Sequence, residues 1–374
     1  MDSLAWKNLL HDRVRLAVTL IGIVFALVLI AVQFGLFLGF WETSGNVVAH
    51  NSADLWLTSP EIPHVNGGQR IPEKRRWTAL AVPGVEKAVN YIIFFVPWKL
   101  PTGAGESVQV VGFDLNTGYG GPYNIVAGSV DDLRAVDTVM IDDIYCPKLG
   151  VKRVGDSVEL NGHRARVVGF THGLRSFTTR PYVFTSFKNA QNYLKLAEAD
   201  TIYILLKAAT GVDIQRLKQD VQRSVPSVEV FTTAEMARKT RIYWVFGTGA
   251  GITTLIGTVL GLLVGVVVVA QTIYASTIDH LREFGTLKAM GASNWVIHRV
   301  IVWQALINAV AGYAIGITIA AFVCRLADNT HIAILMPGPV ALGILALAVA
   351  MCVSAAMLSI RKAVTIDPAM VFRG

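Results

Sequence analysis

The chain has 374 residues, of which 53% are hydrophobic and only 16% are charged, against about 25% charged residues in an ordinary soluble domain. This composition excludes an intrinsically disordered protein, because disorder requires few apolar residues and many charges. The net charge is +7, but no basic helix, zinc-finger spacing or aromatic RNA-binding signature accompanies it, so a nucleic-acid partner is not expected.

The charged residues are distributed very unevenly along the chain. This pattern argues against a single soluble globular domain. Four stretches contain no Asp, Glu, Lys or Arg, and each is long enough for the about 20 apolar residues that a helix needs to cross a bilayer. We therefore predict four transmembrane helices, one near the start of the chain and three near its end. The four uncharged stretches are Leu16–Trp41, Ile242–Ile278, Val300–Cys324 and Asn329–Ile360.

The segment before the first span has apolar side chains at a helical spacing. It predicts an amphipathic helix over residues 1–15, lying on the inner membrane surface; the alternative is that it continues the first span. That span, residues 16–41, is longer than the hydrophobic part of a signal peptide, so we expect it to be retained. The apolar face of the segment would hold Leu4, Trp6, Leu9 and Leu10.

The polar region that follows, residues 42–241, predicts a large α+β domain between the first and second spans. The β–α–β order at both its ends indicates that its first and last thirds fold together around an inserted β subdomain at about 125–196. Asn161-Gly162 predicts a hairpin inside that subdomain. We predict strands at 53–58, 85–100, 108–113, 138–142, 157–160, 165–170, 182–185, 201–207 and 228–231, and helices at 78–83, 143–149, 187–196 and 213–224.

The second uncharged stretch is longer than a membrane requires. Its 37 residues would form a helix of roughly 55 Å, whereas the hydrocarbon core is about 30 Å thick. Helix-forming residues begin at Thr233 and no proline interrupts them, so we predict a rigid rod projecting outward from the second span, residues 242–275. The alternative is a tilted or kinked helix, because the stretch contains Gly247, Gly249, Gly251, Gly257, Gly261 and Gly265.

Basic residues in the short flanking segments predict the orientation of the spans. The positive-inside rule places the N-terminal segment, the loop after the second span and the C-terminal tail in the cytoplasm, and the large domain outside. The basic residues used are Lys7, Arg13, Arg15, Arg282, Lys288, Arg299, Arg361, Lys362 and Arg373. The remaining predicted segments are the inner loop 276–298, the third span 299–324, the outer loop 325–337, the fourth span 338–360 and the tail 361–374.

The sequence contains no pattern for catalysis, nucleotide binding or metal binding. The run Gly247 to Gly251 lacks the Gly-Lys-Ser/Thr ending of a phosphate loop, so we do not expect this chain to bind ATP by itself. The adjacent acids Asp131-Asp132 and Asp142-Asp143 indicate turns or helix caps. Amides within the spans are expected to join helices, and they are Gln33, Gln271, Gln304 and Asn308. An outer loop with Arg175, Phe177 and Arg180 is interpreted as solvated.

The inner loop is the most informative short segment. A helix in its middle would place Phe284, Leu287 and Lys288 on one side. Gly291 can end that helix, and Ser293 can cap the next one. A short helix parallel to the membrane offers a surface to a cytoplasmic partner.

Four segments resemble one known family. Glu283 to Ala292, Glu-Phe-Gly-Thr-Leu-Lys-Ala-Met-Gly-Ala, resembles the coupling-helix signature of permeases in the macrolide-exporter and cell-division superfamily of type VII ABC transporters. The stretch Ala363 to Arg373, which contains Asp-Pro, is similar to the closing motif of that family. Gly155-Asp156 followed by Val167-Val168-Gly169 resembles its outer β subdomain, and the start of the chain, Trp6 to Arg15, also fits. The resemblance covers the whole chain and is nearest to the glycolipid-exporter branch, which has no fused ATPase.

The resemblance implies a non-enzymatic permease subunit in a bacterial inner membrane, with both termini cytoplasmic. Two copies would form a homodimer and bind separate ABC ATPase subunits, which use ATP and Mg; the permease would bind no cofactor directly. A periplasmic adaptor protein and an outer-membrane channel are further implied partners. The implied ATPase-coupling residues are Arg282, Glu283, Phe284, Gly285, Leu287, Lys288, Ala289, Gly291, Ala292, Asp367 and Pro368.

Three functions are compatible with this resemblance. We favour an ATP-driven exporter that acts by mechanotransmission on a lipid, a peptide or another amphiphile. The alternatives are a signalling permease that transports nothing and activates a periplasmic cell-wall hydrolase, and a lipoprotein-extraction subunit. The uncharged spans argue against an ion-coupled transporter, which usually needs an intramembrane charge.

Overall fold

The structure is a computed structural model that describes residues 13–178, 180–279, 286, 288, 290–327 and 330–364. Most of the predicted amphipathic segment and of the C-terminal tail therefore lies outside the described residues. The chain divides into two compact units, which we call the membrane unit and the outer unit. The membrane unit consists of Met1–Leu38, Thr253–Asp328 and Ile334–Gly374, and the outer unit consists of Gly39–Ile252 and Asn329–Ala333.

The helices and strands are numbered here in chain order. The described α-helices are α1 (Arg13–Ala49), α2 (Arg75–Leu80), α3 (Cys146–Leu149), α4 (Phe187–Leu194), α5 (Ile214–Ser224), α6 (Thr233–Phe246), α7 (Gly249–Asp279), α8 (Asn294–Ala327) and α9 (Gly338–Val364). The strands are β1 (Leu55–Thr58), β2 (Ile71–Pro72), β3 (Val85–Lys99), β4 (Gly105–Phe113), β5 (Ile125–Ala127), β6 (Thr138–Asp142), β7 (Ser157–Leu160), β8 (His163–Thr171), β9 (Tyr182–Ser186), β10 (Asp200–Thr201), β11 (Tyr203–Ala208) and β12 (Glu229–Thr232).

Among the described residues, four helices are long and apolar enough to cross a membrane, with mean hydropathy between 2.0 and 2.7. These helices are α1, α7, α8 and α9. They confirm the predicted fold class, because the large mixed α/β domain lies between the first of them and the other three. Helix α1 has 37 residues and, at about 1.5 Å per residue, is longer than the hydrocarbon core. It continues to Ala49, whereas the sequence predicts a span that ends at Trp41.

Small residues allow the membrane helices to approach one another closely. A side chain at Gly312 of α8 would meet the side chain of Ile23 on α1, and one at Gly22 would meet Thr272 on α7. Ile23 is fully buried at this crossing. Helix pairs in lipid are stabilised by this kind of close van der Waals packing, since lipid offers no hydrophobic driving force for association.

Two amide side chains of α8 lie in the interior of the membrane unit. Gln304 and Asn308 are buried, but the Gln304 Nε2 and Asn308 Oδ1 atoms have no hydrogen-bond partner among the described residues. No hydrogen bond from these two atoms joins α8 to another described helix, and the role of the amides as a whole stays a prediction. Thr258 makes such a contact instead, because its Oγ1 donates to the carbonyl oxygen of Gln33 at 3.2 Å.

The outer unit is built on one large mixed sheet. Its strand order is β12-β1-β11-β3-β4-β9-β6-β8-β5, with β7 paired to β3 and β8. Strand β3 has 15 residues and joins the two halves of the sheet, because its first part pairs with β11 and its second part with β4. Strands from the first and last thirds of the domain pair directly, β1 with β11 and β12.

Successive side chains of β1 belong to two different hydrophobic cores, one on each face of the sheet. Trp56 is fully buried on one face of the sheet, where it contacts the edges of Tyr91 and Tyr203 at centroid distances of 5.4 and 5.6 Å. Leu55 and Leu57 belong to a second core on the other face. This arrangement follows from the two-residue period of a strand, whose side chains point alternately to opposite faces.

Local signals in the outer unit have their expected structures. Asn161 and Gly162 have φ angles of 47° and 85°, as a two-residue hairpin turn requires, and they join β7 to β8. Ser129 and Asp132 form a capping box around the 3-10 helix Val130–Arg134. The prediction that the Asp131-Asp132 pair belongs to a helix cap is confirmed.

The predicted rod is interrupted. Helix α6 ends at Phe246 and α7 begins at Gly249, so the helix that starts at Thr233 is not continuous. The cause is a local cap, because the Thr248 Oγ1 donates to the Trp244 carbonyl at 2.6 Å and accepts the Gly251 N–H at 3.2 Å. Threonine side chains compete for backbone groups in this way without any proline.

Candidate functional site

The described part of the inner loop contains a tight backbone turn. The Met290 N–H donates to the Thr286 carbonyl and the Gly291 N–H to the Lys288 carbonyl, both at 3.0 Å. Gly291 has a φ of +93°, a left-handed conformation that glycine adopts without the steric cost of a side chain. The turn therefore ends at the glycine that the sequence predicts, directly before α8.

The predicted coupling residues are described only in part. Gly291 is exposed, and Lys288 and Ala292 are half-buried. The other eight predicted coupling residues lie outside the described residues, and they are Arg282, Glu283, Phe284, Gly285, Leu287, Ala289, Asp367 and Pro368.

Two exposed apolar side chains next to the turn are absent from the predicted site. Met290 is 76% exposed and Trp295 is 66% exposed. The Arg299 guanidinium lies 5.7 Å from the Trp295 ring centroid, a distance at which a cation attracts an aromatic face. Met290 directly precedes Gly291 and Trp295 lies four residues after it. Their position beside the predicted helix end is the sequence signal that could have indicated them.

The C-terminal end of α1 is bound to α6 within the outer unit. The Arg241 Nη2 donates to the Glu42 carboxylate at 2.8 Å, and a side chain at Gly45 would collide with Arg241. Exposed ion pairs of this kind contribute about 0.2–1 kcal/mol each. The Arg241 side chain thus packs directly over Gly45, where α1 has no side chain of its own.

Residues between α8 and α9 also belong to the outer unit. The His331 ring stacks on the buried Tyr145 with a centroid distance of 4.6 Å and an interplanar angle of 6°. Burial lowers the pKa of His331, and the positive charges of Lys148 and Arg175 lower it further. The ring is therefore neutral at neutral pH. We call this stack, with the packing of Ala333 on Gly39, the outer-loop contact.

Gly39 lies under the backbone of the same loop. A Cβ atom at this position would overlap the carbonyl oxygen of Ala333. The C-terminal end of α1 therefore contacts the loop between α8 and α9 so closely that only glycine fits at position 39.

Aromatic side chains form a cluster around the end of α6. Phe177 contacts Phe40 at 5.6 Å and Trp244 at 4.5 Å between ring centroids. His64 packs on Tyr243 at 4.2 Å. Phe177 is half-buried in this cluster, so the interpretation of its loop as solvated is wrong for this residue. The partners of Phe177 are distant in sequence, and no local pattern indicates them.

The acidic residues of the outer unit have structural roles. The buried Asp142 carboxylate accepts hydrogen bonds from the Thr171 hydroxyl at 3.0 Å and from the Leu174 N–H at 2.7 Å. Burial raises the pKa of Asp142, and these hydrogen bonds partly offset that effect. Within the described parts of the chain, no three His, Cys, Asp or Glu residues are grouped closely enough to hold a metal ion.

Two family models match the chain. Residues 16–224 match the MacB-like periplasmic core domain. Residues 258–368 match the FtsX-like permease C-terminal domain. The first match covers most of α1 and of the outer unit, and the second covers most of α7, the inner loop, α8 and α9.

Individual proteins with similar sequences are also permeases. Two uncharacterised ABC transporter permeases of Mycobacterium tuberculosis, from strains CDC 1551 and H37Rv, are each 25% identical over 234 residues. The alignment covers 62% of this chain and 62% of each relative, so it spans less than two thirds of their length.

Two solved structures align with about half of the chain. The periplasmic region of MacB from Actinobacillus actinomycetemcomitans is 9% identical with a TM-score of 0.39, over 52% of this chain and 94% of that one. The extracellular domain of the noncanonic ABC-type transporter YknZ from Gram-positive bacteria is 12% identical with a TM-score of 0.37, over 48% and 100%.

Proposed function

Because the chain belongs to the family of ABC transporter permeases with a MacB-like periplasmic core domain, we propose that it is the permease subunit of an ATP-driven exporter for a lipid, a peptide or another amphiphile. The family implies an ATPase partner, and such permeases are normally not catalytic. We further propose that the ATPase is a separate chain that uses ATP and Mg, and that two permease copies pair. A multi-pass protein of the inner membrane fits the family, and we propose that both its termini are cytoplasmic.

The way that separate chain segments join in the outer unit supports mechanotransmission. Three separate chain segments that adjoin the spans are part of this one compact unit, namely the end of α1, helix α6 and residues 330–333. The Glu42–Arg241 ion pair and the outer-loop contact bind these segments to their neighbours within the unit. Packed protein interiors deform little. A displacement of any one of these segments would therefore be transmitted to the whole outer unit.

Exposed apolar side chains beside Gly291 support ATPase docking at the inner loop. Met290 and Trp295 are types of residue enriched at protein interfaces, and both are exposed. In the proposal they extend the predicted coupling surface, in which Glu283 and Leu287 would contact the ATPase. An adaptor protein and an outer-membrane channel would act on the opposite side.

Affinity purification of the full chain from its native membranes tests this function. We expect an ATPase with a phosphate loop to co-purify, together with a periplasmic adaptor protein. Recovery of a cell-wall hydrolase and no adaptor would contradict export and favour signalling. Recovery of no ATPase would contradict the proposal entirely. An unrelated polytopic membrane protein with the same tag is the control.

A further inference from the structure

A cleft of about 540 Å³ opens beside α6 in the outer unit. One face of that helix supplies Glu235, Arg238, Lys239 and Ile242, which recur at the three- and four-residue spacing of helical neighbours. Helix α5 contributes Lys218 to the same cleft. We call this feature the stalk cleft. It combines cationic and apolar side chains within one cavity.

Glu235 is the carboxylate among the residues that line the cleft, and its negative charge is already paired with a lysine. The Glu235 Oε2 accepts a hydrogen bond from the Lys218 Nζ at 2.6 Å and one from the Thr232 N–H at 2.8 Å. Burial alone would raise the pKa of Glu235, but these contacts lower it below its ordinary value, so the carboxylate is ionised. Arg238 and Lys239 form no ion pair with any residue in the described part of the chain. The cleft therefore carries two uncompensated positive charges.

An apolar wall lies beside these charges. The Lys239 Nζ lies 4.5 Å from the ring centroid of Phe231. This contact holds the lysine charge at the edge of the apolar wall. Ile242 is 40% exposed, and Tyr243 completes the lining. A purely ionic ligand would leave this apolar surface in water, so the lining favours an anion that also carries apolar groups.

The cleft is close in sequence to a candidate membrane span. Only five residues lie between Tyr243 and Gly249, where the next candidate span begins. Even when fully extended, the segment from Tyr243 to Gly249 reaches only about 21 Å. Tyr and Trp are enriched at membrane interfaces, and Tyr243-Trp244 occupies this segment.

We propose that the stalk cleft binds an anionic phospholipid of the surrounding membrane. Arg238 and Lys239 contact its phosphate, and Ile242 and Tyr243 pack against the glycerol and the first acyl carbons. A zwitterionic lipid binds more weakly, because its cationic group would lie among the cations of the cleft. The bound lipid anchors α6 at the membrane surface, and this role does not depend on the proposed export function.

Binding of a short-chain lipid to the purified full chain tests the site. Dihexanoyl phosphatidylglycerol is titrated, below its critical micelle concentration, into protein held in a neutral maltoside detergent. Dihexanoyl phosphatidylcholine and inorganic phosphate are titrated in parallel. We expect phosphatidylglycerol to bind at least tenfold more tightly than either, and its affinity to fall as salt is raised, because added ions screen the charges.

Two double variants separate the cleft from general surface charge. Arg238→Gln with Lys239→Gln should weaken phosphatidylglycerol binding at least tenfold. Arg216→Gln with Arg223→Gln makes the same charge change on the exposed side of α5 and should leave the affinity unchanged. Ile242→Ser, with both cations retained, should weaken binding severalfold.

Three results would overturn the proposal. They are equal affinities of the two double variants, equal binding of phosphatidylcholine, and binding of inorganic phosphate as tightly as phosphatidylglycerol. Thermal melts of each variant establish that it is folded, and Arg238 is exposed, so we expect its substitution to leave the fold intact. Arg238→Gln alone, with an expected loss of at least threefold, is the fallback if the double variant is unstable.

Discussion

Gly39 is the residue at which the outer-loop contact leaves least space. A methyl group there would overlap the Ala333 carbonyl oxygen, so the Gly39→Ala variant must displace either the loop or the helix. We expect a loss of about 1–3 kcal/mol, as for other overpacked sites. Thermal unfolding of the full chain in detergent measures this loss. Gly343→Ala is the matched control, because nothing lies within 4 Å of its added methyl; equal melting of the two variants would contradict the contact.

His64 makes the outer unit sensitive to acid. Burial lowers the pKa of His64 from 6.5 to about 4, and its Nδ1 accepts the Asn66 N–H at 3.1 Å. As pH falls from 6.5 to 4, the unfolded state takes up the proton first, so folding stability decreases in that window. Allowing for partial exposure, the loss is about 1 kcal/mol.

The His64→Asn variant separates titration from hydrogen bonding. Asparagine can accept the same N–H but does not titrate, so its thermal midpoint should decline less than that of the wild type between pH 6.5 and 4. Parallel melts at several pH values, with His163→Asn as the control, provide the comparison. Identical pH dependence in wild type and His64→Asn would assign the acid sensitivity to another group.

The interruption between α6 and α7 determines how a movement can pass along this segment. A methyl group at Gly251 would collide with the carbonyl oxygens of Trp244 and Val245, whereas one at Gly249 meets nothing. If the break is part of the coupling path, Gly251→Ala should reduce stimulation of the partner ATPase at least fivefold, and Gly249→Ala should change it less than twofold. Steady-state ATP hydrolysis by the co-purified complex measures the effect of both variants. Equal rates for the two variants would show that the break is not part of the coupling path.

Elements governed by local chemistry could be predicted from the sequence. The Asn161-Gly162 hairpin needs positive φ angles, and the start of α6 at Thr233 follows from the Thr232–Glu235 capping box. The two-residue strands β2 and β10 pair only with each other, so their sequences alone carry too little signal.

Features that depend on distant partners could not be predicted. The packing of Phe177 on Phe40 and Trp244 joins three separate segments, and the stack of His331 on Tyr145 joins two. The break at Thr248 could not be predicted because it depends on which backbone groups that side chain contacts. Of the predicted coupling residues, only Lys288, Gly291 and Ala292 lie among the described residues.

At the scale of the whole molecule, the low charge content is an average over two unlike parts. The spans are almost free of charge, and the polar region between the first two resembles an ordinary soluble domain. The proposed topology places the Asn161-Gly162 turn outside the cytoplasm. Gly162 is exposed and nothing lies within 4 Å of an added Cβ, so a cysteine there is accessible to reagents.

Labelling of Gly162→Cys with a membrane-impermeant maleimide tests that topology. We expect labelling in right-side-out vesicles and at least tenfold less in inverted vesicles. The comparison is made in a background in which the native cysteines are replaced by serine. A cysteine at Ser293, which lies in the proposed cytoplasmic loop, is the control and should show the opposite pattern. Labelling of Gly162→Cys only in inverted vesicles would reverse the topology.

The central claim is that a separate ATPase is coupled to this permease through the inner loop, and the ATP hydrolysis rate of the complex tests it most directly. Glu283→Arg with Leu287→Asp should abolish co-purification of the ATPase, or reduce permease-dependent hydrolysis at least tenfold. Glu86→Arg with Val126→Asp makes the same changes on exposed positions of the outer unit and should preserve the wild-type rate. Wild-type binding and hydrolysis in the inner-loop variant would contradict the account.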